Sequence, residues 1–475
     1  MNTYNLHLIN KAKERTADFQ RLKAKGLLCL DGDFFPSVHY PPITMYPPIS
    51  EEGLFKSYTL PKDGLFDVYV HIPFCIRYCT FCHYPVKTGD LHEEKEKYLQ
   101  ALKKEMDIFM RRFGLKTIKA RSILIGGGTP TYLTPAQLES FLKFFRERVD
   151  ISKCTQFSYD VDPPTLIGDE GNRRLKIMRD SGVNRLTIGV QSLDDGILKM
   201  MNRPHDAKDA IRAVNDSREH GFKLNIEFIF GYPGQSYEDW IKVMNKAISL
   251  QTEEIQLYRL KVIPYGDHQG FVQKKFFDNP DEFLEPETAI TMKELAILIL
   301  EENGYKENLR RVFTKKREDY SHYADNQCCK LYDEVGFGLT AFSSLRDRFG
   351  LNTQDFQEYY SMIDQEKLPL NRGLVRNEDD QLRWCIILPL KNREVLKKFF
   401  KMQTGVSLDQ VFRKKIERLK ENGLLHEDDK MLSLTKLGAF FADEVCQQFH
   451  RPDYMPYPQQ AYAQGELNPY FDCNP

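Results

Sequence analysis

The sequence predicts an α/β protein built on a partial (β/α)6 barrel, with an α/β extension and a smaller C-terminal unit. Three observations lead there. Short β-like runs alternate with longer helical patterns through the first half of the chain. The strand–helix units recur at roughly 30–40 residues, the length that parallel strands with right-handed crossovers need. Residues able to do chemistry fall at the ends of those runs, where barrels place their functional side chains.

The elements follow in order. "DVYVHI" (67–72) is a strand leading into a cysteine cluster, and "YLQALKKEMDIFMRRF" behind it has helical apolar spacing. "RSILIGGG" (121–128) is a strand meeting a glycine turn, with "TPAQLESFLKFFRERV" as its helix. "QFSYDVDP" (156–163), "RLTIGVQS" (185–192), "KLNIEFIFG" (223–231) and "EIQLYRLKVIP" (254–264) complete the set of strands. Helical stretches such as "AKDAIRAVNDSREHG" and "YEDWIKVMNKAISL" separate them, and Asp160, Gln191 and Glu227 fall near strand ends. Ahead of the barrel, "DFFPSVHYPPITMYPPIS" is rich in proline and aromatics, which predicts a loop laid over a surface or a substrate entrance. Behind it, 271–380 reads as mixed helix and loop, including "DEVGFGLTAFSSL". Then "NREVLKKFFKMQTG", "SLDQVFRKKIERLKENGLL" and "KMLSLTKLGAFFADEVCQQF" alternate helices with a short β-like element. The expected segments are 1–60, 61–270, 271–380, 381–450 and a proline- and tyrosine-rich tail, 451–475.

Composition narrows the function classes. With 67 basic and 68 acidic residues the net charge is −1, so no global field draws the chain to nucleic acid or an anionic membrane. Runs such as "KKEMDIFMRRFGLK" alternate sign at helical spacing and read as solvated faces. The basic run "RKKIERLK" in the C-terminal unit is too short to argue for DNA binding. No window reaches the ~20 apolar residues of a membrane span. The first residues, "MNTYNLHLINKAKERTADFQ", lack the apolar core and cleavage site of a secretory signal, so a reducing cytoplasm is expected.

Ten cysteines in 475 residues are too sparse for a disulfide scaffold. Three of them, Cys75, Cys79 and Cys82, stand in a C-x3-C-x2-C frame within "VYVHIPFCIRYCTFCHYPVKTG". Structural zinc wants four ligands, and no second C-x2-C or H-x3-H pair follows at finger spacing; the nearest extra candidates are His71 and His83. Three thiolates make sense for a cubane iron–sulfur cluster, since clusters ordinarily use four and a withheld thiolate leaves one iron open to a small chelating molecule. Cys328 and Cys329 are adjacent, a poor geometry for joint ligation; with Cys29, Cys154, Cys385, Cys446 and Cys473 they read as structural thiols. The turn "GGGTPTYL" (126–133) is neither G-x-G-x-x-G nor G-x4-G-K-[ST], which leaves nucleotide-phosphate binding poorly supported.

The C-x3-C-x2-C frame, with Phe81 before its third cysteine, resembles the signature of the radical S-adenosylmethionine (SAM) superfamily. More narrowly, "YVHIPFC", "GGGTPTYL", "SYDVDPPTL", "RLTIGVQSLDDGILKMMNR" and "FIFGYPGQS" resemble the oxygen-independent coproporphyrinogen III oxidase-like family over roughly residues 66–270. The resemblance implies a radical SAM barrel, a 4Fe-4S cluster on Cys75, Cys79 and Cys82, one or two SAM molecules, and an electron donor such as flavodoxin or ferredoxin. By position, Tyr69 matches a tyrosine that helps hold SAM near the cluster, and Phe81 matches the aromatic beside the adenine. Gly127, Gly128 and Thr129 match the methionine-binding turn, while Gln191 and Arg203 match SAM-binding residues. Asp160 stands where relatives usually have Glu, and Glu227 where many have Asp; both exchanges keep the carboxylate and change its reach. The helix–helix–hairpin pattern near the end resembles the family's winged-helix-like C-terminal domain.

Two departures bear on the reaction. The oxidases usually continue C-x-F-C-G-C, whereas this chain has "CTFCHYPVKTG", with His83 and Tyr84 after Cys82. The haem-chaperone branch usually carries H-N-x-x-Y-W, whereas "SHYADNQCCKLYDEVGFGLTAFS" (321–343) stands in the comparable place here. These departures favour radical C-methylation or cyclopropanation of a conjugated small molecule. Oxidative decarboxylation of porphyrinogen propionates is the alternative, and a haem-binding or trafficking role a third. No catalytic acid or base is assigned from the sequence.

Overall fold

A computed structural model describes residues 3–35, 38–262 and 271–471. Six parallel strands run in chain order: β1 (Leu65–Ile72), β2 (Ile118–Gly127), β3 (Gln156–Val161), β4 (Arg185–Gln191), β5 (Lys223–Phe230) and β6 (Glu254–Arg259). Their register sets Tyr69 beside Leu124, Asp160 beside Thr187 and Glu227 beside Gln256. Helices His92–Arg112, Pro135–Arg148, Gly168–Asp180, Ala207–Glu219 and Tyr237–Ser249 fill the crossovers. Their starts are set locally: Thr134 with Gln137 and Asp206 with Asp209 form capping boxes, and Ser236 accepts from the Asp239 N–H. The apolar faces of these helices close one continuous core with the outward side chains of the strands.

The expected strand 254–264 ends at Arg259, and residues 263–264 lie outside the described residues. The sheet also extends beyond the six strands. A hairpin of β7 (Lys306–Leu309) and β8 (Val312–Thr314) adds antiparallel to β6. A seventh parallel strand, β9 (Glu334–Phe337), pairs with β1. Four residues containing a glycine carry too little periodicity to be seen as a strand, so "DEVGFGLTAFSSL" reads as loop until β1 supplies its hydrogen bonds. The two ends of the sheet do not pair with each other, which leaves the barrel open.

The proline-rich start does lie over a surface, that of the hairpin β10 (Phe342–Leu345) and β11 (Arg348–Asn352). Tyr46 stacks on Phe349 at 4.7 Å, and His39 packs between Phe342 and Phe349. Helices Thr3–Lys13 and Arg15–Ala24, unread in the sequence, pack beneath helix Pro286–Glu302 through bonds such as Arg15 to Glu294. At the C-terminus, helices Lys397–Thr404 and Leu408–Glu421 pack with a three-stranded antiparallel sheet of Glu394–Leu396, Met431–Leu434 and Leu425–Glu427. This is the winged-helix-like unit. Helix Glu378–Asn392 belongs to the same apolar cluster and straddles the boundary expected at 380/381.

Candidate active site

β1 delivers the chain into a loop that carries Cys75, Cys79 and Cys82 as free, half-buried thiols. The loop is tied within itself and from outside. The Cys82 N–H donates to Cys79 O at 3.1 Å, and the Tyr78 hydroxyl to Cys82 O at 3.1 Å. Asn202 donates to Tyr78 O at 2.8 Å, and the Thr80 N–H to Met201 O at 3.1 Å. Thr129 Oγ1 reaches Cys75 Sγ at 3.6 Å, and Arg203 Nη1 reaches Cys79 Sγ at 3.2 Å. Burial first, and then the charge of neighbouring cysteines, pushes Cys75 up to about 12 and Cys82 to about 11. Thiols buried together in this way give up their protons only to a cation that takes their charge. Among the described residues no group of three His, Cys, Asp or Glu side chains is arranged to hold a single metal ion. Three separate sulfur donors fit a cluster.

The glycine turn presses against this loop. Gly127 has φ +119, and a Cβ there would meet the His71 ring at 2.8 Å. A Cβ on Gly128 would lie 2.8 Å from Phe74 O and 2.9 Å from Cys75 Sγ. The N–H groups of Gly128 and Thr129 are spent on Ile72 O (3.0 Å) and Phe74 O (2.7 Å). What the turn keeps for a ligand is therefore carbonyl oxygen, suited to an ammonium group.

Strand alternation points a polar series into the barrel. The Tyr69 hydroxyl is hydrogen-bonded to His71 Nδ1 at 2.9 Å, and its ring stacks on Phe342. Asp160 and Glu227 are both enclosed there. Burial pushes Asp160 up to about 7; burial, and then the charge of Asp160, push Glu227 up to about 8. Tyr258 donates to Glu227 at 3.1 Å and Gln256 to the Tyr258 hydroxyl at 2.5 Å. Below them Arg185 is bound to Glu254 at 2.5 Å. Gln191 ends β4 at φ +65, a left-handed conformation that a non-glycine residue holds only under tertiary constraint.

Arg203 joins the two halves of the site. It pairs with Asp162, donates to Gly189 O at 2.8 Å and touches Cys79, while its Nε is buried without a partner. The sequence comparison placed Arg203 on SAM alone, and the structure adds the cysteine loop to its contacts. Asp162, which the sequence reading missed, receives Arg203, and His205 Nδ1 lies 3.6 Å from it without a hydrogen bond. Its signal was period two: Asp160 and Asp162 share a strand face, as do Tyr69 and His71. Phe81 packs over the ends of β4–β6 with Met201, Ile229 and Leu260. His83 Nε2 lies 3.1 Å from Lys261 O and its Nδ1 is buried without a partner, whereas Tyr84 is 60% exposed. Segment 321–329 lies at the opposite end of the barrel. Its Tyr323 donates to Glu334 at 2.6 Å and its Asn326 to Asp67 at 2.9 Å, both at strand starts. The stretch 321–343 continues toward the site, where Phe342 stacks on Tyr69 and the Tyr323 ring lies 6.5 Å from that of Tyr69. Cys29, Cys385 and Cys446 are buried free thiols, and Cys473 lies outside the described residues.

The profile of the Radical SAM superfamily matches residues 69–247, and that of the HemN C-terminal domain matches 377–441. The structure of coproporphyrinogen III oxidase (HemN) from Escherichia coli superposes with a TM-score of 0.70 at 26% identity, over 81% of this chain and 90% of that one. Residues 69–247 belong to the radical SAM superfamily and 377–441 to the HemN C-terminal domain family, the pairing of the coproporphyrinogen III oxidase-like proteins that this chain is similar to. Curated relatives agree. The chain is 29% identical over 388 residues to the heme chaperone HemW of Bacillus subtilis, covering 80% of this chain and 98% of the relative. It is 27% identical over 401 residues to the oxygen-independent coproporphyrinogen III oxidase of Helicobacter pylori, covering 80% and 85%. As a radical SAM enzyme it uses a 4Fe-4S cluster and SAM, and needs a substrate and a reductant. The relatives named here are oxidases and a haem chaperone. The expected C-methylation or cyclopropanation is without support among them, and the oxidative alternative stands better. Among the described residues no helix is long and apolar enough to cross a membrane.

Proposed function

We propose that the chain oxidises a propionate-bearing tetrapyrrole by radical chemistry of the coproporphyrinogen type. The observation that carries this reading is the extent of the match to the Escherichia coli oxidase, which takes in nine-tenths of that chain. In this reading Cys75, Cys79 and Cys82 hold the cluster. The carbonyls of the 127–129 turn take the ammonium of SAM, and Tyr69, Phe81, Gln191 and Arg203 surround the rest of it. Cluster and SAM, when bound, would supply the radical chemistry for hydrogen abstraction. Asp160 and Glu227 lie below, holding a proton between them at neutral pH, so the lumen is less negative than two carboxylates imply. Arg203 couples the position of the carboxylate end of SAM to that of the Cys79 thiol. The net change converts a propionate to a vinyl group, releasing carbon dioxide, a hydrogen atom and one electron to an acceptor.

A haem-chaperone role is the second reading, supported by the match to nearly the whole length of the Bacillus subtilis protein. One anaerobic assay separates the readings: reconstituted protein, a strong reductant, methyl-labelled SAM, and either coproporphyrinogen III or haem. Oxidation predicts 5′-deoxyadenosine and carbon dioxide from coproporphyrinogen III with no label transfer. Stoichiometric haem binding without turnover of coproporphyrinogen III would establish the chaperone instead. Methyl label in a product, with S-adenosylhomocysteine, would overturn the oxidative reading in favour of alkylation.

A further inference from the structure

Outside the barrel wall, a second enclosed space lies between the outer faces of β5 and β6, helix Pro286–Glu302 and residues 439–444 of the C-terminal unit. Most of its lining is apolar, including Phe230, Leu257, Ile290, Phe313 and Phe441. Its position follows from strand alternation. Gln256 and Tyr258 face the lumen, so Leu257 and Arg259 face outward.

The charges in this space are not balanced. Arg259, Lys293, Arg310 and Arg311 line it, against Glu307, Asp443 and Glu444. Arg310 pairs with Asp443, and Glu307 accepts the Arg311 backbone N–H at 2.6 Å. Lys391 stands behind Asp443 at 3.8 Å and adds to the positive side. Lys293 donates to Phe440 O at 2.5 Å and sits 4.3 Å from the Phe440 ring centroid. Arg259 has no hydrogen bond or ion pair among the described residues, and rests 4.4 Å from the centroid of Phe34. Burial pulls both Arg259 and Lys293 below their usual values. Asp33 and Glu444 act on Arg259 through their charge without hydrogen-bonding to it, so its guanidinium keeps its donors for an anion that reaches the cleft.

We propose that this cleft binds a small carboxylate carried on an apolar body, its charge on Arg259 and Lys293 and its body against Leu257, Ile290 and Phe313. The apolar lining disfavours a bare inorganic anion, and the excess of cations disfavours a neutral ligand. The site is separate from the radical centre, and nothing in the proposal depends on which reaction occurs there.

The test is calorimetric titration of the full-length, cluster-containing protein, without SAM or tetrapyrrole, with octanoate, octanol and inorganic phosphate as probes. Octanoate should bind at one site per chain, with little or no binding of octanol or phosphate. Arg259→Gln should weaken octanoate by about tenfold or more, the scale of a lost charge-assisted bond, whereas Arg259→Lys should retain most of the affinity. Should Arg259→Gln not fold, thermal melting of the unaltered protein still decides. Octanoate should raise the melting temperature with concentration, and equimolar octanol should not. Absence of saturable octanoate binding, equal binding of octanol or phosphate, or unchanged affinity in a folded Arg259→Gln variant would each overturn the site.

Discussion

Asparagine in place of Asp160 should make the protein more stable at alkaline pH, because the barrel lumen holds more carboxylate than it can neutralise. Asp160 and Glu227 are enclosed together, and Arg185, the cation nearest them, is already bonded to Glu254 at 2.5 Å. Burial lifts Asp160 from 3.8 to about 7, a difference worth roughly 4 kcal/mol. Relaxation and water entry in the real protein reduce this to about 2–4 kcal/mol. The folded protein keeps a proton that the unfolded chain surrenders from about pH 4. Stability from this group is therefore whole below about pH 4 and is lost as pH rises through about 7. Asparagine has no proton to lose, so Asp160→Asn should lack that part of the slope. Urea unfolding of the anaerobic protein, followed by circular dichroism at about pH 6 and pH 8.5, measures the difference. The variant should be ahead by about 2–4 kcal/mol at the higher pH, and its advantage should shrink toward the lower one. A variant equally or less stable at pH 8.5, or one with the parent's pH slope, would refute the account of a shared proton.

Three further outcomes follow from the site geometry. Gly128→Ala forces a Cβ against Phe74 O and Cys75 Sγ, so it should cost about 1–3 kcal/mol and lower iron per chain, read by thermal melting and iron analysis; a full cluster at the parental melting temperature would show that the turn can yield. Arg203→Ala strips the buried Asp162 of its cation, a loss of about 3–5 kcal/mol, and removes a donor to Cys79. Cluster content and SAM affinity should fall together in iron analysis and equilibrium dialysis, and weakened SAM binding with normal iron would instead place Arg203 on SAM alone. Replacing Cys75, Cys79 and Cys82 together by alanine should abolish the cluster absorbance and SAM cleavage, while a retained four-iron cluster would remove these thiols as ligands.

Much of the fold was legible because its signals are local. Each barrel strand is an apolar run, three of the five crossover helices have a capped start, and three cysteines within one loop stay neighbours however the chain folds. The strand-end positions of Asp160 and Gln191 followed from the same alternation, whereas Glu227 lies three residues short of the end of β5. Elements with short or weak signals were lost: β9 has four residues, and the helices at 3–24 gain their role from packing against Pro286–Glu302. Asp162 could have been found by extending the period of two from Asp160, the same spacing that sets His71 beside Tyr69 on one strand face.

Partnerships between distant residues were decided only by the tertiary structure. Arg203 meets Asp162 and Cys79 because β1, β3 and the turn after β4 end at the same rim of the barrel, although the residues lie 41 and 124 positions apart. Arg259 faces the outer cleft rather than the lumen because β6 pairs with β5 in one particular register, and a slip by one residue would turn it inward. The titration of Asp160 and Glu227 is likewise a property of enclosure. A carboxylate in an isolated strand ionises near 4, and these two hold a proton to near neutrality because the folded barrel removes water and supplies no free cation among the described residues. Composition and spacing name the chemistry that the chain can carry; the distances and burial that set its charge state exist only once the strands have closed around it.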